Sequence, residues 1–244
     1  MIKGLYRSGS AMIPRIRQQE TIANNLANAS TPGFKKDAVF TQELTRAEAR
    51  NRPRRTDWET PMIDQVYTNY DQGNFEKTGN ELDLAIEGSG FFLIEGEDGS
   101  PELTRAGNFA VDSAGYVINP EGKRLLSEGG PINVAGNSAV TISESGEVEV
   151  DGDIVSTIRV VDVDDPTQLA KIGDYSYVLP DGVDPVQAAG YYVRQGYLED
   201  SNVDVVKHMV EMIIAFRNYE ASANSLKVQD ESLEKLINNV GRAV

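Results

Sequence analysis

The sequence predicts an α+β chain in which long N- and C-terminal helices form a coiled-coil-like stalk around an inserted antiparallel all-β domain. Three observations predict it. An apolar repeat of seven residues runs through 202–240, a second amphipathic stretch occupies 5–29, and between them short branched and aromatic runs alternate with glycine turns. The chain divides into an N-terminal helix and turn (1–36), a connecting arm (37–80), a β domain (81–199) and a C-terminal heptad helix (200–244).

In the N-terminal helix Leu5, Met12, Ile16, Ile22, Ala23 and Leu26 recur at helical spacing, with Gln19 in the one gap. Pro14 has no N–H to donate and crowds the carbonyl of Ser10, so the continuous helix is expected to begin near Ile13 or to kink there. Ser30-Thr31-Pro32-Gly33 ends it: proline disfavours helix in the residue before it, and glycine accepts a left-handed cap. In the arm, Arg50, Arg52, Arg54 and Arg55 surround Pro53, the composition of an exposed loop or extended arm, and one strand is expected at 65–68.

The middle of the chain carries strand-forming runs at 82–86, 91–95, 140–143, 147–150 and 154–161. Asp98-Gly99, Ala114-Gly115, Glu121-Gly122, Ser145-Gly146 and Asp151-Gly152 supply turns between them. In the C-terminal helix the a positions are Asn202, Met209, Phe216, Ala223, Asp230 and Ile237, and the d positions are Val205, Met212, Tyr219, Leu226, Leu233 and Val240. A sustained seven-residue period requires a partner helix along that side. At about 1.5 Å per residue the helix runs roughly 55–60 Å, too long for a small core to cover. The partner is therefore elsewhere in the chain or in another copy. Ser201 followed by Asp204 fits a capping box at its start.

Composition narrows the function classes. A 244-residue chain that is 40% hydrophobic can bury a core, and no run approaches the ~20 apolar residues of a membrane span. Direct membrane insertion is not expected. The N-terminus lacks the apolar core and small-residue cleavage site of a secretory signal, so any export is expected to proceed without a cleavable signal peptide. There is no cysteine, which removes disulfides, thiolate metal sites and cysteine nucleophiles. Residues 1–36 carry a charge of +5 and residues 81–199 a charge of −16, within a total of −15. The acidic middle repels nucleic acid, which is not an expected partner.

A catalytic constellation does not emerge. His208 is the only histidine and occupies a heptad g position, so no second histidine or cysteine completes a zinc site with it; it reads as a solvated or interfacial side chain. Asp162, Asp164 and Asp165, with Asp151 and Asp153 upstream, lack the loop glycine and closing glutamate of an EF-hand and read as a charged loop. Gly88-Ser89-Gly90 is short of a phosphate-binding loop and reads as a turn or bulge. No metal or cofactor is expected.

Asn24-Asn25-Leu26-Ala27-Asn28-Ala29-Ser30-Thr31-Pro32-Gly33-Phe34-Lys35 resembles the N-terminal signature of the bacterial flagellar basal-body rod and hook proteins. The segment from Gly79-Asn80-Glu81-Leu82-Asp83 through Gly88-Ser89-Gly90-Phe91-Phe92 is similar to the family's central motif, and Thr104-Arg105-Ala106-Gly107-Asn108-Phe109 to the one after it. Gly196-Tyr197-Leu198-Glu199-Asp200-Ser201-Asn202-Val203-Asp204 resembles a third block, leading into a helix with Met209-Val210-Glu211-Met212-Ile213 and Arg217-Asn218-Tyr219-Glu220. The resemblance spans nearly the whole chain.

That resemblance implies a non-enzymatic axial subunit, exported unfolded by the flagellar type III apparatus and assembled helically in the periplasm-spanning rod of the basal body. Copies of the same chain and other rod and hook-family axial proteins are the implied partners. Length and Glu128-Gly129-Gly130-Pro131-Ile132 stand closer to the proximal type, while 217–220 suits the distal type as well; the proximal type is the expectation. The implied assembly interface comprises Ile22, Asn24, Asn25, Leu26, Asn28 and Phe34 at one end and Met209, Met212, Phe216, Tyr219, Leu226, Leu233 and Ile237 at the other. The asparagine amides can both donate and accept, and so fix register where apolar packing alone allows sliding. Two readings from other classes compete: a secreted β-domain enzyme or carbohydrate-binding protein on a helical stalk, and a cytoplasmic coiled-coil scaffold. Neither explains both end motifs.

Overall fold

The computed structural model describes residues 2–43, 61–96, 98–134, 139–180 and 185–240, with side chains from residue 12 onward except 40–43, 61–65, 236–237 and 239–240. The arginines between 50 and 55 lie outside the described residues. The chain forms two compact units. One comprises Met1–Ala27, Asp37–Asn69 and Asp204–Val244; the other comprises Asn28–Lys36 and Tyr70–Val203.

In the first unit two helices, α1 (Ile2–Ala27) and α2 (Val205–Val240), pack against each other. Strand β1 (Asp37–Glu43) pairs antiparallel with β2 (Pro61–Thr68) through a bulge at Phe40/Thr41, and β1 packs on α1. The expected strand at 65–68 is thus the end of a longer one. Helix α1 also departs from expectation: it begins at Ile2 and passes unbroken through Pro14. A proline removes one backbone bond, and the Pro14 ring is buried, so packing around it offsets that loss. The helix stops at Ala27 rather than Ala29, and Gly33 takes the left-handed conformation beyond it.

The start of α2 differs in detail. Asp204 is the cap itself, its Oδ1 accepting from Lys207 N at 3.0 Å, while Ser201 Oγ accepts from Val203 N. The face α2 turns inward carries His208, Met212, Ala215, Tyr219, Ser222, Leu226, Gln229 and Leu233, which are the d and g positions rather than a and d. The a residues Met209 and Phe216 turn outward at 49% and 54% exposure, while the small a residue Ala223 is half-buried beside Ser222. On α1 the inward residues are Met12, Gln19, Ile22 and Leu26. Ile13, Ile16 and Ala23 face out.

The second unit is β-rich, and each of its strand pairings is antiparallel. Its largest sheet has six strands in the order Ala170–Ile172, Ser176–Val178, Pro101–Thr104, Phe91–Glu95, Val160–Asp162 and Val186–Gln187. Phe91–Glu95 explains the arrangement. Successive side chains of a strand point to opposite faces, so Phe92 and Ile94 enter one core with Leu84, Ile86 and Phe109, while Phe91 and Leu93 enter another with Leu103 and Tyr177. An uninterrupted apolar run is what a strand buried on both faces requires. The expected run 154–161 is two strands, Asp153–Thr157 and Val160–Asp162, divided where Ile158 drops into the core. Gly88-Ser89-Gly90 is the turn between Leu84–Glu87 and Phe91–Glu95.

Candidate functional site

Two features stand out: a buried ionic clasp in the β-rich unit and an exposed apolar surface in the helical unit. The clasp centres on Glu199, which is wholly buried at the end of strand Tyr197–Glu199. Its Oε1 accepts from Lys35 Nζ at 2.5 Å and from Gly73 N at 2.9 Å, and its Oε2 accepts from Arg105 Nη1 at 3.2 Å. Lys35 also donates to Asp71 O, and Arg105 to Ile86 O and Gly88 O. Both Glu199 oxygens, the Lys35 ammonium and the two terminal nitrogens of Arg105 are thereby hydrogen-bonded, and each charge faces its opposite, the condition under which buried ions are tolerated.

Burial pulls the Lys35 ammonium below the ordinary lysine value, with Glu199 opposing that shift, and it lowers Arg105 for the same reason. The clasp fastens the segment 28–36 to the β-rich body. Gly33 N donates to Glu199 O at 2.7 Å, and a Cβ on Gly33 would lie 2.3 Å from Ala106 N. Phe34 is fully buried with Lys171 Nζ 4.0 Å from its ring centroid, and Lys171 donates to Lys35 O. Asn202 closes the same segment, accepting from Lys36 N at 2.8 Å and donating to Asp71 O.

The signature asparagines have separate surroundings. Asn25, at 1% exposure, holds the backbone of Asp37 from both sides, Nδ2 donating to its carbonyl at 2.7 Å and Oδ1 accepting from its N–H at 2.9 Å. This fixes the entry to β1. Asn28 accepts from Thr31 Oγ1 and donates to Asp174. Asn24 is exposed on α1, Ile22 is buried and Leu26 half-buried.

The apolar surface belongs to the outward side of α2, where Val206, Met209, Val210, Ile213, Ile214 and Phe216 are all about half exposed or more. It continues into a groove of about 630 Å³ between the helices, lined by Gln19, Glu20 and Ala23 of α1 and by Met212, Ile213, Phe216, Arg217 and Glu220 of α2. Of the expected interface residues, Met209 and Phe216 therefore lie on this open face. Met212, Tyr219, Leu226 and Leu233 lie on the half-buried inward side, and Ile237 is in α2 with its side chain outside those described. Sequence reasoning missed Lys35, Arg105 and Glu199 as a group. The available signal was that each sits inside one of the four quoted motifs.

His208 is 9% exposed with Nδ1 3.0 Å from Glu211 Oε2. Among the described residues no group of three or more His, Asp or Glu side chains is placed to hold a metal ion, and no helix is long and apolar enough to cross a membrane. Asp165 caps the short 3-10 turn Pro166–Gln168.

Comparison with known proteins matches residues 5–35 to the family described as flagella basal body rod protein, residues 85–150 to the flagellar hook protein FlgE/F/G D1 domain, and residues 194–239 to the flagellar basal body rod FlgEFG protein C-terminal. Each matched segment supplies one member of the clasp. Curated relatives align end to end. The flagellar basal-body rod protein FlgF of Caulobacter vibrioides is 31% identical across 99% of this chain and 99% of its own. FlgG of Agrobacterium fabrum is 31% identical, with 94% and 96% covered, and FlgG of Borreliella burgdorferi 30%, with 99% and 100% covered.

Proposed function

The chain belongs to the flagellar basal-body rod protein family, and from that premise we propose that it is an axial rod subunit of the proximal type, built into a helical array through its terminal helices. It is a structural, non-enzymatic component of the flagellar basal body, a family that assembles with other rod and hook-family proteins. The observation that carries the assembly reading is the outward apolar face of α2. Six large apolar side chains in eleven residues of one helix, all substantially exposed, form a surface that water penalises until another subunit covers it.

In this reading the terminal helices continue as a coiled-coil-like stalk against other copies and transmit motor torque towards the hook. The four segments 1–36, 37–80, 81–199 and 200–244 act as assembly helix, connecting arm, β domain and heptad helix. Of the expected interface, Asn24, Met209 and Phe216 are exposed and Leu26, Asn28, Met212, Tyr219, Leu226 and Leu233 half-buried, so these are the residues offered to a neighbour together with Ile237, whereas Ile22, Asn25 and Phe34 are buried within the chain and support that surface from beneath. The type III export apparatus delivers the chain without cleaving a signal peptide, to a rod that spans the periplasm. Alignment length supports the proximal, FlgF type: FlgF relatives align over 248, 247 and 244 positions, close to the 244 of this chain, whereas FlgG relatives require 266 to 275.

Crosslinking and density in purified basal bodies test the reading. The chain is expected in the rod, next to the proximal end. Its absence from basal bodies, or its position outside the rod, would overturn the assignment.

A further inference from the structure

We infer that the groove between α1 and α2 receives the α1 ridge formed by Ile13, Ile16 and Arg17 of a second copy of this chain. The inference rests on the assembly reading above and adds which surface meets which. Residues 13, 16, 20 and 23 follow one another along a single outward stripe of α1. The first two are apolar and prominent, Ile13 at 61% and Ile16 at 40% exposure; the last two, Glu20 and Ala23, form part of the groove, whose small Ala23 leaves room opposite Phe216. Ridge and groove are offset by seven residues, about 10 Å along the helix. A helix cannot fold its own ridge into a groove on the same stripe, so the occupant is another molecule.

Charge selects the pairing. Exposed Arg17 flanks the ridge, while Glu20 and Glu220 outnumber Arg217 in the groove. Pairing two grooves face to face would bring the glutamates of both copies together, and pairing two ridges would do the same to Arg17; ridge into groove is the complementary choice. Such a contact is heterologous. Each copy offers a ridge to one neighbour and a groove to the next, so the array stays open and propagates instead of closing as a dimer.

The absence of native cysteine makes the test direct. Cells producing an Ile16→Cys copy together with an Ile213→Cys copy are oxidised, and disulfide dimers are measured in purified basal bodies. The mixed dimer is expected to exceed either homodimer on the order of tenfold, because only the mixed pair comes within disulfide reach. Homodimers of Ile213→Cys in excess would overturn the proposal, as would incorporation of both variants without mixed dimers, which leaves the assembly reading intact. If a cysteine blocks incorporation, charge reversal decides. Arg17→Glu and Glu220→Arg should each shrink the swimming halo and the double variant restore it; a double variant worse than either single one overturns the pairing. If the unsubstituted chain is itself missing from basal bodies, the assembly reading fails and this inference with it.

Discussion

Lys35 and Glu199, 164 residues apart in sequence, meet as an ion pair 2.5 Å long with side-chain exposures of 1% and 0%. Arg105 completes the cluster from a third region of the chain, so one carboxylate answers two cations. Removing the carboxylate strands both charges, whereas removing the lysine leaves a balanced pair. Glu199→Gln is therefore expected to destabilise the β-rich unit by ~3–5 kcal/mol and Lys35→Met by clearly less. Urea denaturation followed by circular dichroism measures both. Small and equal losses would contradict the clasp.

Gly33 and Gly79 share a left-handed backbone, φ +70 and +75, but not their surroundings. A Cβ on Gly33 would strike the backbone of Ala106, while a Cβ on Gly79 meets nothing within 4 Å. Gly79→Ala should cost ~1 kcal/mol, the backbone conformation alone. Gly33→Ala should cost more, because the clasped segment must also move. Equal melting temperatures would show that the close approach is not needed.

The structure contains two opposite alkaline dependences. Tyr175 is pushed up to about 12, chiefly by burial and then by Glu121, so between pH 10 and 12 the folded chain keeps a proton that the unfolded chain has lost. Stability falls with rising pH across that window, and Tyr175→Phe should flatten the fall. Burial lowers Lys35, so below pH 10.5 the unfolded chain holds the extra proton and stability rises as pH climbs towards 10.5. Lys35→Met should remove the rise. Unfolding midpoints measured from pH 8 to 12 resolve both.

The sequence made some of this legible because local patterns report local structure. The run 91–95 and the heptads gave a strand and a long helix, and the glycine of each of the five named dipeptides has positive φ. The four family blocks were visible as motifs. Their convergence on Glu199 was not, since charge type and spacing along a chain carry no information about which distant residues meet. The side of α2 that is buried within the chain carries the d and g positions, with Ala223 of the a row half-buried beside them. Period alone cannot distinguish an a/d stripe from the adjacent d/g stripe.

That rotation separates two substitutions that the heptad treats alike. Leu226 is half-buried on the inward face, so Leu226→Asp should place a charge in the packed side of α2 and destabilise the helical unit by a few kcal/mol. Phe216 faces out, so Phe216→Asp should change the stability of the free protein by only about 0.5 kcal/mol. Asp162→Asn with Asp164→Asn should change stability by no more than this and leave swimming unaffected. Thermal melts of the purified variants, set beside swimming halos, separate these effects, and a Phe216→Asp protein that melts far below the unsubstituted chain would place that side chain in the monomer's own core.

The most direct measurement is the amount of Phe216→Asp protein in purified basal bodies from cells that carry no other copy. The account predicts a protein that folds and melts normally yet is missing from the rod, in cells that do not swim. Motile cells with Phe216→Asp present in their basal bodies at the level of the unsubstituted chain would contradict the claim that the outward face of α2 is the assembly surface.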